Sequence, residues 1–187
     1  DGELRYIYSD DDALTWQPAT ALVTVPASNS IYFDADIDPA TGEIHVAFSK
    51  RIATDDAPTD FIDVRYCKLT HGGGIEKSDG TTLGTTASFA DCEEVIAGLT
   101  HHIGTVAVLS DGSPVVSYAQ DDSATQYFYN SDAWIATPNG DNTWSPIQVS
   151  NTADCRGYHV VHVGPNDFLT MTTCRLIGGY YEVVRYT

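Results

Sequence analysis

Four short segments of similar pattern recur along this chain at a nearly constant interval. They are Leu4-Arg5-Tyr6-Ile7-Tyr8-Ser9, Val64-Arg65-Tyr66-Cys67, Gln126-Tyr127-Phe128-Tyr129-Asn130 and Val184-Arg185-Tyr186-Thr187. Aligned on Tyr6, Tyr66, Tyr127 and Tyr186, they are separated by steps of 60, 61 and 59 residues. Each is rich in aromatic and β-branched residues, which suit a pleated, half-buried strand. One small sheet cannot bury both of its faces alone, so a fixed period of this kind implies like units stacked on one another.

The rest of the sequence supplies the other strands of each unit. Helical periodicity is nearly absent, and runs of Val, Ile, Tyr, Phe and Thr alternate with Gly, Pro, Asn and Asp. Three hairpins line up in register with the period. Ile31 to Ile37 turns through Asp38-Pro39-Ala40-Thr41-Gly42 into Glu43 to Ser49; Gly104 to Ser110 turns at Asp111-Gly112 into Pro114 to Ala119; Tyr158 to Val163 turns at Pro165-Asn166 into Phe168 to Cys174. Asp-Gly is the strongest of these turn signals, because both residues tolerate positive φ. Each hairpin leads to a tyrosine-bearing strand and then to a fourth: Thr15 to Val23, Cys92 to Leu99, Thr143 to Ser150. The expected fold is all-β, a β-propeller of four-stranded antiparallel blades lettered A to D. A partial blade spans 1–24, blades span 31–99 and 103–150, and a second partial blade spans 157–187. About three blades do not close a ring, so further chain, other copies, or an open array must complete the structure.

Charge excludes some partners. Twenty-six Asp and Glu stand against nine Lys and Arg, a formal charge of −17. Nucleic acid needs a basic surface, and an anionic membrane is disfavoured on the same ground. No segment has the apolar length to span a bilayer, the residues given are not expected to include a signal peptide, and the start at Asp1-Gly2-Glu3 reads as a mature or trimmed terminus. Asp10-Asp11-Asp12, Asp55-Asp56 and Asp121-Asp122 sit in loop-like sequence; no cofactor is implied, and calcium is the one ion left open, although no EF-hand spacing occurs.

Cysteines fall at 67, 92, 155 and 174, with no CxxC pair, so zinc and thioredoxin-type sites are disfavoured. An even count in an acidic, lysine-poor chain points to disulfides and to an extracellular or periplasmic location. Of the three pairings, Cys67–Cys92 and Cys155–Cys174 are favoured, since each closes a segment that the strand pattern already folds back. The first would staple a Gly/Thr/Ser-rich insertion, at roughly 3 kcal/mol on the loop-entropy model.

Ser9-Asp10-Asp11-Asp12-Ala13-Leu14-Thr15-Trp16 occupies a turn between third and fourth strands. It resembles the Asp box, S-x-D-x-G-x-T-W, of the sialidase-like (BNR-repeat) propellers. Ser9, Asp11, Thr15 and Trp16 match; Ala13 replaces the usual glycine, which puts the positive φ of that turn in question. A degenerate second copy, Thr137-Pro138-Asn139-Gly140-Asp141-Asn142-Thr143-Trp144, stands two units later, and both continue as Trp-x-Pro. Such a box is structural: its Asp and Ser bond turn backbone, and its Trp buries an apolar face between units.

The resemblance implies a carbohydrate-directed protein, an enzyme of the polysaccharide lyase or glycosidase type, or a non-catalytic glycan-binding or scaffold module. Ligands of such propellers sit on the face opposite the Asp boxes. That face takes the D-to-A links Pro26 to Ile31, Leu99 to Gly104 and Asn151 to Tyr158, and the B–C loops Lys50 to Asp60, Gln120 to Thr125 and Arg175 to Tyr180. Four of the nine basic residues fall there, Lys50, Arg51, Arg156 and Arg175, which in so acidic a chain suggests a pocket for an acidic glycan. Candidate binding residues are Asn29, Arg51, Gln120, Arg156, His159 and Arg175. His101 or His102, with Tyr180, would take the proton α to a uronate carboxyl while Arg156 or Arg175 neutralises that carboxyl. Adjacent strand residues point to opposite faces, so one histidine of the pair faces the channel. The alternative sialidase chemistry would use Arg51, Arg156 and Arg175 on a carboxylate. Glutamates are scarce near that face, and no GxSxG, phosphate loop or HExxH occurs. His45 and His162 sit inside strand patterns and are expected to be packing or blade-face residues.

Overall fold

The structure, a computed structural model, describes residues 2–26, 29–52, 61–99, 101–121, 131–177 and 180–186. Among these residues the regular elements are strands, apart from one 3-10 turn at Pro165–Asp167. Strands β1 (Glu3–Tyr6) and β2 (Thr20–Thr24) form an antiparallel pair. Strands β3 (Asn29–Ile37), β4 (Ile44–Ile52) and β5 (Phe61–Leu69) meander antiparallel. The chain then makes three short strands, β6 (Ile75–Glu76), β7 (Thr82–Gly84) and β8 (Ala87–Ser88), before β9 (Glu93–Leu99) returns to pair with β5. A second meander follows: β10 (His101–Val108), β11 (Pro114–Asp121), β12 (Ser131–Pro138) and the first half of β13 (Trp144–Val163). The second half of β13 pairs with β14 (Leu169–Ile177), and β14 with β15 (Tyr180–Tyr186).

Side-chain alternation explains how these sheets layer. On β4 and β5, Val46, Phe48, Cys67 and Leu69 face one way and pack with Leu4, Leu22 and Val23 of the first pair. Ala47, Val64 and Tyr66 face the other way and meet Ile103, Val106, Val116, Tyr118 and Trp144. Beyond them Ala107 and Val115 pack on Val161. The described strands form three hydrogen-bonded sheets, β1-β2-β8, β3 to β7 with β9, and β10 to β15, the last folding back on itself along β13, and three apolar clusters lie between their faces; each fully buried Val, Leu or Phe contributes about 1.5–3 kcal/mol. Polar bonds cross the layers as well. The carboxylate of Glu93, 2% exposed, accepts from the Ser78 N–H (2.6 Å), the Ser78 hydroxyl (2.7 Å) and the Trp144 indole N–H (2.9 Å).

Strands β3, β10 and the second half of β13 lie side by side and run the same way. Asp34 accepts the Val106 N–H (2.9 Å) and Asp36 the Val108 N–H (3.1 Å). The Thr105 hydroxyl accepts the Val161 N–H (2.8 Å). Backbone groups left open by the strand ladders are thereby satisfied by side chains of the strand packed alongside.

Several expectations are corrected. Where the segments read as links are described they are largely strand: β4 runs to Ile52, β11 to Asp121 and β14 to Ile177, and β13 continues through 151–158 with irregular register; residues 53–60 and 122–125 lie outside the described residues. Backbone pairing continues past the point where apolar alternation stops. The insertion after β5 carries three short strands, of which β8 pairs in parallel with β2 and ties it to the first sheet. Tyr6, Tyr66 and Tyr186 lie on β1, β5 and β15, but the corresponding strand of the second meander is Ser131–Pro138, and Tyr127 lies outside the described residues.

The turn at Ser9 keeps its positive φ without glycine, at Asp12 (53°) and Ala13 (65°). The Ser9 hydroxyl accepts the Ala13 N–H (2.9 Å), and Asp11 accepts the Thr15 N–H (2.8 Å) and hydroxyl (2.6 Å). Five such bonds around one turn outweigh the strain of one alanine in the left-handed region. Trp144 is buried at 8% exposure against Tyr66 of the preceding sheet, whereas Trp16 is 57% exposed, because its sheet is the first among these residues. Neither favoured disulfide is formed: Cys67 and Cys92 are neighbouring buried thiols in hydrogen-bond contact, and Cys174 is an exposed free thiol. Cys155 faces Arg175 in the β13–β14 register, and its side chain lies outside the described residues.

Candidate functional site

Because each strand reverses its predecessor, alternate strand ends share one rim. Asn29 opens β3 opposite Ile52, and Ser30 pairs with Arg51. His101 opens β10 opposite Gln120. Arg156 pairs with Cys174, Arg175 with Cys155 and Glu182, and Tyr180 opens β15 opposite Ile177. With β3, β10 and the second half of β13 parallel across the layers, all these backbone positions belong to the same rim. The side chains of His101, Arg156, Arg175 and Tyr180 lie outside the described residues. Those of Asn29, Arg51 and Gln120 are half-buried.

Two histidines come together beneath this rim. The His102 ring is 4% exposed and tilts against Tyr32, with ring centres 5.5 Å apart. Its Nδ1 lies 2.5 Å from the Ile103 carbonyl oxygen, so Nδ1–H donates there and the neutral ring carries its lone pair on Nε2. His159 is fully buried, with Nδ1 2.7 Å from the Thr173 hydroxyl. Its Nε2 has no hydrogen-bond partner among the described residues. Burial, joined for His159 by the smaller effect of the neighbouring His102, lowers both pKa values to about 4. Both rings are therefore neutral at pH 7, able to accept a proton or to bond a hydroxyl but not to act as fixed cations.

Sequence reasoning missed the residues that hold these rings. Tyr32 is the fourth residue of the alternating strand β3, and Thr173 sits within a run of threonines on β14. Ser117 links the layers: its hydroxyl accepts the Thr105 N–H (2.8 Å) and bonds the His159 carbonyl (2.9 Å). Small hydroxyl residues inside apolar strands carry no sequence signal of a site, because their partners are set by the stacking of sheets. His162, expected as a packing or blade-face residue, is exposed, and it lines a cleft of about 550 Å³ with Asp34, Asp36 and Thr105 along β3, β10 and β13. His45 is buried, as expected. Among the described residues no three His, Cys, Asp or Glu side chains gather closely enough to hold a metal ion.

No family model matches the chain, and no curated protein matches it. Solved structures do match in fold. A polysaccharide lyase of family PL25, an ulvan lyase bound to -[GlcA(1-4)Rha3S]-, is similar over 98% of this chain and 50% of its own, with a TM-score of 0.68 and 13% identity. A Hadza microbial sialidase is similar over 98% of this chain and 38% of its own, with a TM-score of 0.63 and 15% identity. The polysaccharide lyase Uly1 is similar over 99% and 44%, with a TM-score of 0.60 and 11% identity. The chain thus spans half or less of the length of each of these structures. It shares an all-β, propeller-like arrangement of antiparallel sheets with glycan-active proteins.

Proposed function

We propose that this chain is part of a secreted carbohydrate-directed β-propeller of four-stranded blades that recognises, and by a lyase reaction cleaves, an acidic polysaccharide. The observation that carries the reading is the pair of neutral imidazoles, His102 and His159, beneath a rim bearing Arg51, Arg156, Arg175 and Tyr180. The likeness in fold to two polysaccharide lyases supports it. In this reading an arginine pairs with the uronate carboxylate and makes the proton on the adjacent carbon acidic. Nε2 of His102 takes that proton, and Tyr180 returns one to the departing glycosidic oxygen, leaving an unsaturated uronate. A bound carboxylate near His102 would raise its pKa toward the range where a general base works best.

A second reading, a glycan-binding module without catalysis, is favoured by one observation. Both rings are closed off from solvent, and a base must reach its proton within hydrogen-bond distance. The decisive experiment offers the protein a polysaccharide of -[GlcA(1-4)Rha3S]- repeats and follows ultraviolet absorbance of the unsaturated product. The lyase reading expects product from the wild type and at least a hundredfold less from His102→Ala. Saturable binding without product, unchanged in His102→Ala, would establish the binding module instead.

A further inference from the structure

The imidazole of His102 is closed off from water, so a base there needs a part that opens. The ring itself is not that part. His102 is 4% exposed, and its Nδ1–H donates to the Ile103 carbonyl at 2.5 Å. The Ile103 N–H is held in turn by the Ser49 hydroxyl (3.4 Å). Turning the imidazole outward would break the first bond and leave a buried carbonyl short of a donor, at about 1–3 kcal/mol. His159, near enough to lower its own pKa through His102, is fully buried as well.

Tyr32 is different. Its ring lies against His102, with centres 5.5 Å apart and planes tilted by 57°, yet it is 36% exposed. Of two rings in contact, one keeps its water and the other has lost it. Register tells which way the tyrosine faces. Tyr32 stands opposite Ser49, and Ser30 opposite Arg51. Residues directly opposed across a ladder share a face, as do residues two apart on one strand. Ser30, Tyr32, Ser49 and Arg51 therefore line the face of β3 and β4 that meets β10, where Ser49 bonds Ile103 and Asp34 bonds Val106. Toward the rim, the next residue of β3 on this face is Ser30, which is exposed and too short to close over a tyrosine ring. The Tyr32 ring thus has a fixed neighbour on one side and room on the other. Side chains exposed to water change rotamer far faster than enzymes turn over. Arg51 is the diagonal cross-strand neighbour of Tyr32, within reach of a long side chain, so a sugar whose carboxylate pairs with Arg51 lies at this ring.

We infer that Tyr32 is the cover of His102, a positioning residue whose ring turns aside before the imidazole can reach an acidic sugar held at Arg51. The cover serves the lyase reading, but it is a property of the free protein and is measured without turnover. The test is carbethoxylation of the 187-residue chain by diethyl pyrocarbonate at neutral pH, followed residue by residue by peptide mass spectrometry. An unprotonated imidazole nitrogen attacks this reagent, so Tyr32→Ala, permanently uncovered, should label at His102 about tenfold faster than wild type, and Tyr32→Phe within about twofold of it. His45, 2% exposed at the other end of β4, reports the integrity of the fold, and its labelling should not change. Should Tyr32→Ala expose His45 too, Tyr32→Leu, which keeps apolar bulk without the reach of the ring, takes its place. Equal labelling of His102 with and without the ring overturns the cover and leaves the lyase reading to its own assay. Labelling of Tyr32→Phe as fast as Tyr32→Ala also overturns it, since the hydroxyl rather than the ring would then do the shielding. Labelling that depends on the ring, in a protein that releases no unsaturated product, keeps the cover and discards the catalytic reading.

Discussion

Trp16 and Trp144 occupy matching turns in sequence, yet the fold gives them unequal weight. Trp144 stacks edge-on against Tyr66, with ring centres 5.3 Å apart, and its indole N–H meets the buried Glu93. Trp144→Ala should therefore cost about 3–5 kcal/mol, from lost burial and from a carboxylate left short of a donor. Trp16→Ala, at a site 57% exposed, should fall within about 1 kcal/mol of wild type. Urea unfolding of both variants checks the contrast; equal losses would mean that Trp16 is covered in solution. The identity of both tryptophans was legible from the repeated Thr-Trp-x-Pro pattern. Their burial was not, because it depends on whether a neighbouring sheet stands in front of the turn.

Among the elements, β10 shows how an open strand edge is closed. Its N–H groups at Val106 and Val108 are taken by Asp34 and Asp36 of β3 rather than by another strand. Partial burial raises the Asp34 pKa, and the Val106 N–H holds it back. Asp34→Ala should destabilise by about 1–3 kcal/mol, since a backbone N–H loses its acceptor. Asp34→Asn, which retains a carbonyl oxygen, should lose less than half of that. Amide hydrogen exchange at Val106 checks both; unchanged protection in Asp34→Ala would show that the carboxylate is not the acceptor. The hairpins and their turn residues could be read from the sequence, since alternation and Asp-Gly are local signals. The edge contacts span 72 residues and left no local trace.

For the whole molecule, the stacking of sheets sets a pH dependence. His102 and His159 titrate near 4 when folded, against an ordinary value of 6.5. Between those values the unfolded chain binds more protons than the folded one, so stability is full above pH 6.5 and falls as pH drops toward 4. The loss should amount to a few kcal/mol, and replacing both histidines with asparagine should flatten it. Urea midpoints measured across this window check the sign; stability that holds or rises on acidification would show that the two rings are solvated. The rim itself was legible in part. Polar residues beyond each strand's apolar run marked Asn29, Arg51, Gln120 and the histidines, while Tyr32, Thr173 and Ser117 emerge only when the layers are assembled.

By itself the sequence determined the strands and the direction in which they reverse. These follow from side-chain alternation and turn chemistry, forces that act over a few residues. Which indole is buried, which imidazole loses its water and which carboxylate meets a backbone N–H were decided only in the folded molecule. Desolvation depends on what lies across a sheet face, and residues distant in the chain supply that surface.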